Sequence, residues 1–474
     1  MQDSVAGLTI DFDDSCPKDE IKSKFVSNKI KTYNVGTLSY TMTGLIVLFS
    51  FLLWGEFCWI LLETVIPRIF PLLLKDLEAS NTLIGIMVSS VPSVLYLSLI
   101  PSVSVKSDRH RGRYGRRIPY LLLTAPFVTI FLVMIGYSND IGRFVYESSL
   151  GRFIPISEGS FLLAMICLFI VVFQLFNTTL NFIYKCLIAD VVPKVMMGRF
   201  MAMTRAVSTV ASFLFSRYFF GFADGHMRQL LFWIGVVHLA AFLMLCFGVK
   251  EGQYSEPEKE LAKTNRLDSI KKYINECFGC RYYLYIYLMA MFFMIACGCS
   301  GPFNIFFYRD TLGLTIDEIG KFWGWIYLFQ ALTAIPMGWV CDKFNPVRIH
   351  PLSILMVFVL YVLQSIFIHD KITLYVFSFI WAVPISMYYI SLVALTVTLF
   401  PKDKYAQYNS GIQVLNALGL IAGNFFIGFT IDIWGNRMAL IWPAVFCFPA
   451  AVLGLYVYRG WVQYGGDESY VAPR

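Results

Sequence analysis

The sequence predicts an all-α membrane protein with twelve transmembrane helices in two six-helix halves. Three observations support this prediction: the composition is strongly apolar, the charges cluster between long apolar stretches, and markers from the first half of the chain recur in the second. Of 474 residues, 57% are hydrophobic and 15% are charged, and the mean hydropathy is +0.64. Ordinary soluble domains carry about 25% charged residues, so a water-soluble fold could not bury this much apolar surface.

Twelve apolar stretches are long enough to cross the membrane, because about 30 Å of hydrocarbon needs roughly twenty helical residues. Every position of the run at 161–173 is apolar, unlike the alternating strands of a β-barrel. The predicted spans lie near 41–66, 82–105, 119–138, 161–188, 199–221, 229–248, 283–306, 319–340, 350–368, 373–399, 407–430 and 438–458.

Polar segments flank and divide these spans. The tail at 1–40 begins acidic and turns basic, and it lacks the apolar core of a signal peptide. A charged loop at 249–282 joins the half at 41–248 to the half at 283–458, and a second tail follows at 459–474. With an even number of spans, both tails and the central loop lie on one side of the membrane.

Basic residues identify that side as the cytoplasm. The loop at 106–117 lies on the same side as the tails, and it contains Lys106, Arg109, Arg111, Arg113, Arg116 and Arg117. The positive-inside rule therefore predicts cytoplasmic termini, and we expect a monomer in the cell membrane. The formal net charge of +7 follows from this topology and gives no reason to expect a nucleic-acid partner.

The two halves contain matching markers. LKDLEASNTLIG ends at Gly85 after the first span, and RDTLGLTIDEIG ends at Gly320 after the seventh. Asp108, after the second span, recurs as Asp342, after the eighth. The number of residues between these two aspartates is nearly the same as that between Gly85 and Gly320. A repeat of this length indicates two related six-helix units.

The loop after the second span carries the most specific motif. SDRHRGRYGRRIPY (107–120) resembles the signature SDRxxxRxGRRRP of the plant sucrose symporters and of the wider glycoside, pentoside and hexuronide cation symporters. This resemblance implies the major facilitator fold, in which two halves expose a central site alternately to each side. It also implies a role in gating for Asp108, Arg109, Gly115, Arg116, Arg117 and, in the repeat, Asp342. Asp108 could bind backbone donors or arginines of a neighbouring helix, and the basic loop could also serve only as a topology signal.

A second resemblance lies in the fourth span. NTTLNFIYKCLIAD (177–190) resembles a stretch of the plant sucrose symporters, in which Asn177 and Asp190 match and Lys185 replaces an arginine. Gln174 stands where those symporters carry the carboxylate thought to accept the proton, so that proton site is not carried over. FFYRDTLGL (306–314) also resembles the exit from the seventh span of that family.

Acidic residues within the first span are the best candidates for ion coupling. Glu56 lies near its middle and Glu63 two turns further along, with Trp59 between them on the same face. A charge at the centre of the membrane costs roughly 2.5 to 3.5 kcal/mol, and burial favours the neutral carboxyl, so Glu56 could gain and lose a proton. A static paired acid and a pore-lining acid are the alternatives.

Charges towards the cytoplasmic ends of the fourth and fifth spans could form one cluster. Lys185, Asp190 and Arg205 are close to these helix ends, and such charges often neutralise one another. In the functional alternative, Lys185 donates to a solute hydroxyl or carboxylate, while Asp190 and Arg205 contribute to gating.

Aromatic rings and amides are the residues that bind sugars. Such side chains occur in several spans, and the expected solute contacts are Trp59, Asn177, Lys185, Asn304, Gln330, Tyr388, Gln413 and Asn416. Trp54 and Tyr389 share these features, although aromatic belts at the membrane surface account for many such rings.

No enzymatic motif accompanies these features. The chain contains no Walker loop, HExxH sequence or nucleophile elbow. Cys277 and Cys280 form a lone CxxC without the two further ligands of a zinc site, so we expect no metal and no cofactor. The sequence therefore predicts a secondary transporter of a sugar-like polar solute in symport with a proton or sodium ion. The alternatives are transport of an unrelated metabolite or drug, and a receptor on the same fold.

The topology is testable by labelling. A cysteine introduced at position 265, in the central loop, should react with a membrane-impermeant maleimide only after cells are permeabilised. The parent chain, which lacks this cysteine, gives the background labelling. Labelling from outside intact cells would contradict the predicted orientation.

Overall fold

The computed structural model describes residues 32–148, 156–253, 266–401 and 404–473. A short antiparallel hairpin comes first, formed by β1 (Tyr33–Val35) and β2 (Leu38–Tyr40), with Tyr33 opposite Tyr40. Long helices follow, so the predicted all-α class is confirmed.

Seven helices form the first half of the described chain. They are α1 (Met42–Asp76), α2 (Asn81–Arg109), α3 (Ile118–Gly136), α4 (Ser138–Glu147), α5 (Glu158–Val191), α6 (Lys194–Leu214, extended by the π-helical turn Phe215–Phe219) and α7 (Ala223–Gly248). The chain turns within α7 at Gly225, whose φ of 78° is accessible to glycine without strain.

Eight helices form the second half. They are α8 (Arg266–Phe278), α9 (Arg281–Thr311), α10 (Ile316–Phe344), α11 (Pro346–Phe367), α12 (Lys371–Leu399), α13 (Tyr405–Trp434), α14 (Met438–Gln463) and α15 (Gly466–Ser469). A long helix coincides with each of the twelve predicted spans.

Eleven of the described helices are long and apolar enough to cross a membrane. The twelfth long helix, α6, has lower hydropathy because it carries Arg199 and Arg205 together with several hydroxyl side chains. This polarity suits its position, since α6 packs against both α1 and α10, which belong to opposite halves.

The end of α1 was predicted wrongly. The apolar pattern predicts an end near residue 66, but the helix continues through Pro67, Arg68 and Pro71 to Asp76. Neighbouring helices can satisfy the backbone groups that proline leaves free in a membrane protein. Arg68, which looks like a loop cation in the sequence, is therefore inside the helical bundle.

The internal repeat is visible in the packing. In the first half α3 packs on α5 and α7, and in the second half α11 packs on α12 and α14. Likewise, α1 packs on α6 and α7, as α9 packs on α13 and α14. Equivalent helices thus make equivalent contacts, which is the arrangement of the major facilitator fold.

The halves meet closely at one end of the bundle. We call the end that carries the 106–117 loop the motif end, and the other the opposite end. At the opposite end, a Cβ atom on Gly428 of α13 would lie 2.6 Å from the carbonyl oxygen of Asn81, and one on Gly85 of α2 would lie 2.7 Å from that of Asn424. These glycines allow the two backbones to touch.

A carboxylate reinforces this contact. Asp432 of α13 accepts hydrogen bonds from the backbone N–H and side-chain amide of Asn81, at 2.7 and 2.8 Å, and from the backbone N–H and hydroxyl of Thr82, at 2.9 and 2.6 Å. An acid at the first turn of α2 is also favoured by the helix dipole.

Gly428→Ala should weaken this contact, because the added methyl group meets backbone rather than a flexible side chain. We expect a loss of about 1–3 kcal/mol from overpacking, seen as a lower melting temperature of the purified protein. Gly338→Ala is the matched control, since nothing lies within 4 Å of its Cβ position. Equal melting temperatures for the two variants would contradict the close approach.

Candidate functional site

A ladder of serines on α6 faces polar residues of α1. Ser208 donates to Oε1 of Glu56 at 3.1 Å, and the hydroxyls of Ser212 and Thr64 are 3.4 Å apart. Serines four residues apart share one helix face, and their small size lets two helices approach closely. Glu56, which is only 9% exposed, is thus held on the α6 side of α1.

The second acid of α1 faces α5 instead. Asn177, which is buried, donates from its side-chain amide to Oε1 of Glu63 at 2.9 Å. The ammonium of Lys185, also on α5, lies 5.4 Å from the ring centre of Trp59, and it attracts the carboxylates of both Glu56 and Glu63. The structure therefore brings together five residues that the sequence singled out. We call them the acid cluster: Glu56, Trp59, Glu63, Asn177 and Lys185.

Arg68 lies further along α1, between the two halves. It donates to Oγ of Ser216 on α6 at 2.5 Å and to the hydroxyl of Tyr327 on α10 at 2.8 Å. A cavity of about 120 Å³ adjoins it, lined by residues of both halves: Pro67, Arg68, Phe220, Gly301, Ile305, Ile319, Trp323 and Tyr327.

Buried amides of the second half have unused hydrogen-bonding capacity. The side-chain oxygens of Asn304 on α9 and Asn416 on α13 are buried without a protein partner, as are Nε1 of Trp59 and Oδ1 of Asn177. An unpaired buried polar group costs about 1–3 kcal/mol. A polar solute could supply the missing partners once a change of conformation exposes these atoms.

Other predicted solute contacts are less well placed. Tyr388 is 3% exposed and stacks on Phe293 and His350 inside the second half, so it faces the core rather than the space between the halves. Its neighbour Tyr389 is exposed and lies close to Arg205 of the first half. Gln413 is exposed and Gln330 is half-buried.

The motif residues form an ion network within the first half. Asp190 of α5 accepts from Nε of Arg116 and from Nε of Arg117, each at 3.0 Å. Arg117 also donates to Asp108 and Ser107. This network ties the ends of α2, α3 and α5 together, so it stabilises the half as one unit.

Glu251, which follows α7, completes this network. Its carboxylate accepts from the backbone N–H groups of Arg116, Arg117 and Ile118, at 2.8, 2.8 and 2.7 Å, and so caps the start of α3. A Cβ on Gly115 would lie 2.6 Å from the Glu251 side chain, and its φ of 101° also favours glycine. Gly115 therefore serves the packing of this cap.

The expected cluster of Lys185, Asp190 and Arg205 is wrong. Asp190 pairs with the motif arginines and Lys185 belongs to the acid cluster, so the three charges do not form one cluster. Arg109 is exposed at the end of α2, and the side chain of Asp342 is outside the described residues.

Sequence reasoning missed three functional candidates, Arg68, Ser208 and Glu251, and gave little weight to a fourth, Asp432, because it lies near the end of a span. The four-residue spacing of Ser208, Ser212 and Ser216 was a usable signal for a polar helix face. Nothing in the local sequence indicates the partners of Glu251 or Asp432, because these come from remote segments. Among the residues that the structure describes, no group of three or more His, Cys, Asp or Glu side chains could hold a metal.

Comparisons with known proteins agree with this architecture. The family model described as Major Facilitator Superfamily matches residues 286–464, which is the larger part of the second half. A comparison with curated protein sequences gave no match.

Solved transporter structures share the fold over most of the chain. A bacterial homologue of the human lysosomal transporter Spinster, inward-facing and unoccupied, has a TM-score of 0.64 at 14% identity, covering 88% of this chain and 97% of its own. The D-xylose-proton symporter has a TM-score of 0.59 at 14% identity, covering 88% and 96%. A POT family transporter in complex with a thioalcohol-conjugated peptide has a TM-score of 0.64 at 14% identity, covering 89% and 97%.

The motif network predicts unequal effects of its two acids. Asp190→Asn leaves two guanidinium groups without their shared carboxylate and should reduce the free energy of unfolding by about 3–5 kcal/mol. Asp108, whose side chain is 49% exposed, should contribute about 0–1 kcal/mol. Thermal unfolding of Asp190→Asn and Asp108→Asn, with Arg109→Gln as the control, measures the difference. Equal losses at both acids would contradict this account.

Proposed function

We propose that this protein is a secondary transporter that moves a small polar solute across a membrane by alternating access of its two halves. The observation that carries the proposal is the position of the acid cluster and Arg68. These charged groups lie within membrane-length helices, where charges are costly and often mark the path of a solute or ion, and Arg68 also contacts the second half. The shared fold with transporters of varied solutes supports the same function without specifying the solute.

The solute class that best suits the site is a sugar-like polyhydroxylated compound. Hydroxyl groups can donate to the unpaired oxygens of Asn304 and Asn416 and accept from Nε1 of Trp59. The motif at 107–120 resembles that of glycoside and sucrose symporters, which agrees with this class. Trp59, already packed beside Lys185, offers a flat apolar face to a sugar ring.

Proton symport is the proposed coupling, with Glu56 as the proton carrier and Glu63 as the next candidate. Glu56 has the neutral partners Ser208 and Tyr184, Glu63 has Asn177, and both acids are attracted by Lys185. Protonation of one acid would change the charge of the site and thereby the preference between the two conformations. Coupling to sodium is the alternative.

The motif end is proposed to face the cytoplasm, in accordance with the positive-inside rule. In the present conformation the halves touch at the opposite end, while Lys185, Arg205 and Gln413 are exposed. The site would then be open to the cytoplasm and closed to the outside. We further propose that the protein acts as a monomer in the cell membrane.

Uptake into proteoliposomes tests the transport function. Vesicles that contain the purified protein should accumulate at least one radiolabelled mono- or disaccharide faster than protein-free vesicles. A lower pH outside than inside the vesicles should increase the accumulation. Failure with every sugar, in a preparation that unfolds cooperatively, would contradict the proposed solute class.

Glu56→Gln tests the coupling residue, because glutamine mimics the protonated acid. The variant should still exchange solute across the membrane, but it should lose accumulation driven by a pH gradient. Glu147→Gln, an exposed acid on α4, is the control and should behave like the parent chain. If Glu56→Gln still concentrates solute, the proton binds elsewhere or sodium drives transport.

A further inference from the structure

Arg68 is a guanidinium group inside the bundle that has neutral partners. Its two hydrogen bonds go to the hydroxyls of Ser216 and Tyr327, and it forms no salt bridge with any of the residues that the structure describes. Glu63, the acid nearest to it along the chain, binds Asn177. Asp317, two residues before Ile319 in the cavity wall, pairs with Lys321 at 2.5 Å. Arg68 is half-buried, and a cation that is partly removed from water without an anion is unfavourable, so this site is suited to receive one.

Aromatic rings hold the guanidinium in place. Its central carbon lies 5.8 Å from the ring centres of Phe220 and Trp323 and 5.3 Å from that of Tyr327. Cation–π contacts of this kind offset part of the desolvation cost of Arg68, but they leave its charge uncompensated. They also fix its position at the wall of the cavity.

The guanidinium group of Arg68 and the hydroxyl group of Tyr327 both lie at the wall of the cavity, where they can donate hydrogen bonds to a bound group. Ser216 donates its own proton to the carbonyl oxygen of Ser212 at 2.6 Å, so it acts as an acceptor for Arg68. Tyr327 accepts from Arg68, and its own hydroxyl proton is therefore available to an incoming acceptor. The remaining walls are apolar, from Pro67, Ile305 and Ile319 among others.

We propose that Arg68 and the Tyr327 hydroxyl bind a carboxylate group of the transported solute. A singly charged, planar carboxylate matches one guanidinium group and one phenol, whereas a phosphate dianion would leave a surplus negative charge in an apolar cavity. This inference rests on the proposed function, because it assigns part of the solute to a cavity between the two halves.

The site also explains how solute binding would affect the conformation. Arg68 belongs to the first half, and Tyr327 and Trp323 belong to the second. An anion that contacts both halves stabilises the arrangement in which they are close, and this differential contact biases the equilibrium between conformations.

Matched pairs of compounds test the inference with the full-length protein. Each pair shares a carbon skeleton and differs by a carboxylate in place of an alcohol: gluconate and glucitol, lactate and propane-1,2-diol, benzoate and benzyl alcohol. At least one carboxylate should raise the melting temperature of the parent protein at millimolar concentration, while its alcohol should not. Arg68→Gln should weaken the binding of that carboxylate at least tenfold, and Arg68→Lys should restore part of it.

Arg228→Gln is the control for loss of a cation. Arg228 pairs with Asp140 on the exposed surface of the first half and is not among the residues that line the cavity, so this variant should bind the carboxylate like the parent. A carboxylate that stabilises Arg68→Gln as well as the parent, or no stabilisation by any carboxylate, would overturn the inference.

Transport separates this inference from the proposed function. If the parent and Arg68→Gln carry a neutral sugar equally well, the protein is a transporter and the carboxylate site is wrong. If carboxylates bind through Arg68 but no compound crosses the membrane, the site stands and the transport proposal fails.

Discussion

The cost of placing charge inside a membrane is the constraint on which this structure depends. Each charged side chain at the centre of the bilayer costs roughly 2.5 to 3.5 kcal/mol, so Glu56, Glu63, Lys185 and Arg68 are stable only where they find partners. The structure gives them partners on α5, α6 and α10. The polarity of α6 has the same origin, since a helix with three arginines could not face lipid on all sides.

The distribution of hydrogen bonds separates rigid parts from movable ones. The motif network around Asp190 and the Glu251 cap lie within the first half, so they hold it together whatever the position of the second. Asp432, by contrast, binds Asn81 and Thr82 across the two halves. Opening of the bundle at that end requires these bonds to break, whereas the motif network can persist. Along α1, Arg68 lies about 7.5 Å beyond Glu63 and about 18 Å beyond Glu56, which leaves room for a coupling ion at Glu56 and a solute at Arg68.

Much of the fold could be predicted from the sequence, because twelve apolar stretches and an internal repeat are direct consequences of the membrane. Glu56, Glu63, Trp59, Asn177 and Lys185 were each singled out by depth or resemblance, but their convergence was not predicted, because the sequence grouped Lys185 with Asp190 and Arg205. The end of α1 was not, because Pro67, Arg68 and Pro71 look like a loop when neighbouring helices are unknown. The orientation of each helix about its own axis could not be predicted either. Tyr388 and Tyr389 are adjacent, and only packing decides which one faces the core.

The central claim is that the acid cluster controls alternating access. Spin labels at Val195 on α6 and Val397 on α12, both exposed, would report the separation of the halves at the motif end, after replacement of the eleven native cysteines. Double electron–electron resonance should show two distances whose populations change with pH in the parent protein, and Glu56→Gln should abolish that pH dependence. A single distance that is independent of pH, or an unchanged pH response in Glu56→Gln, would contradict the account.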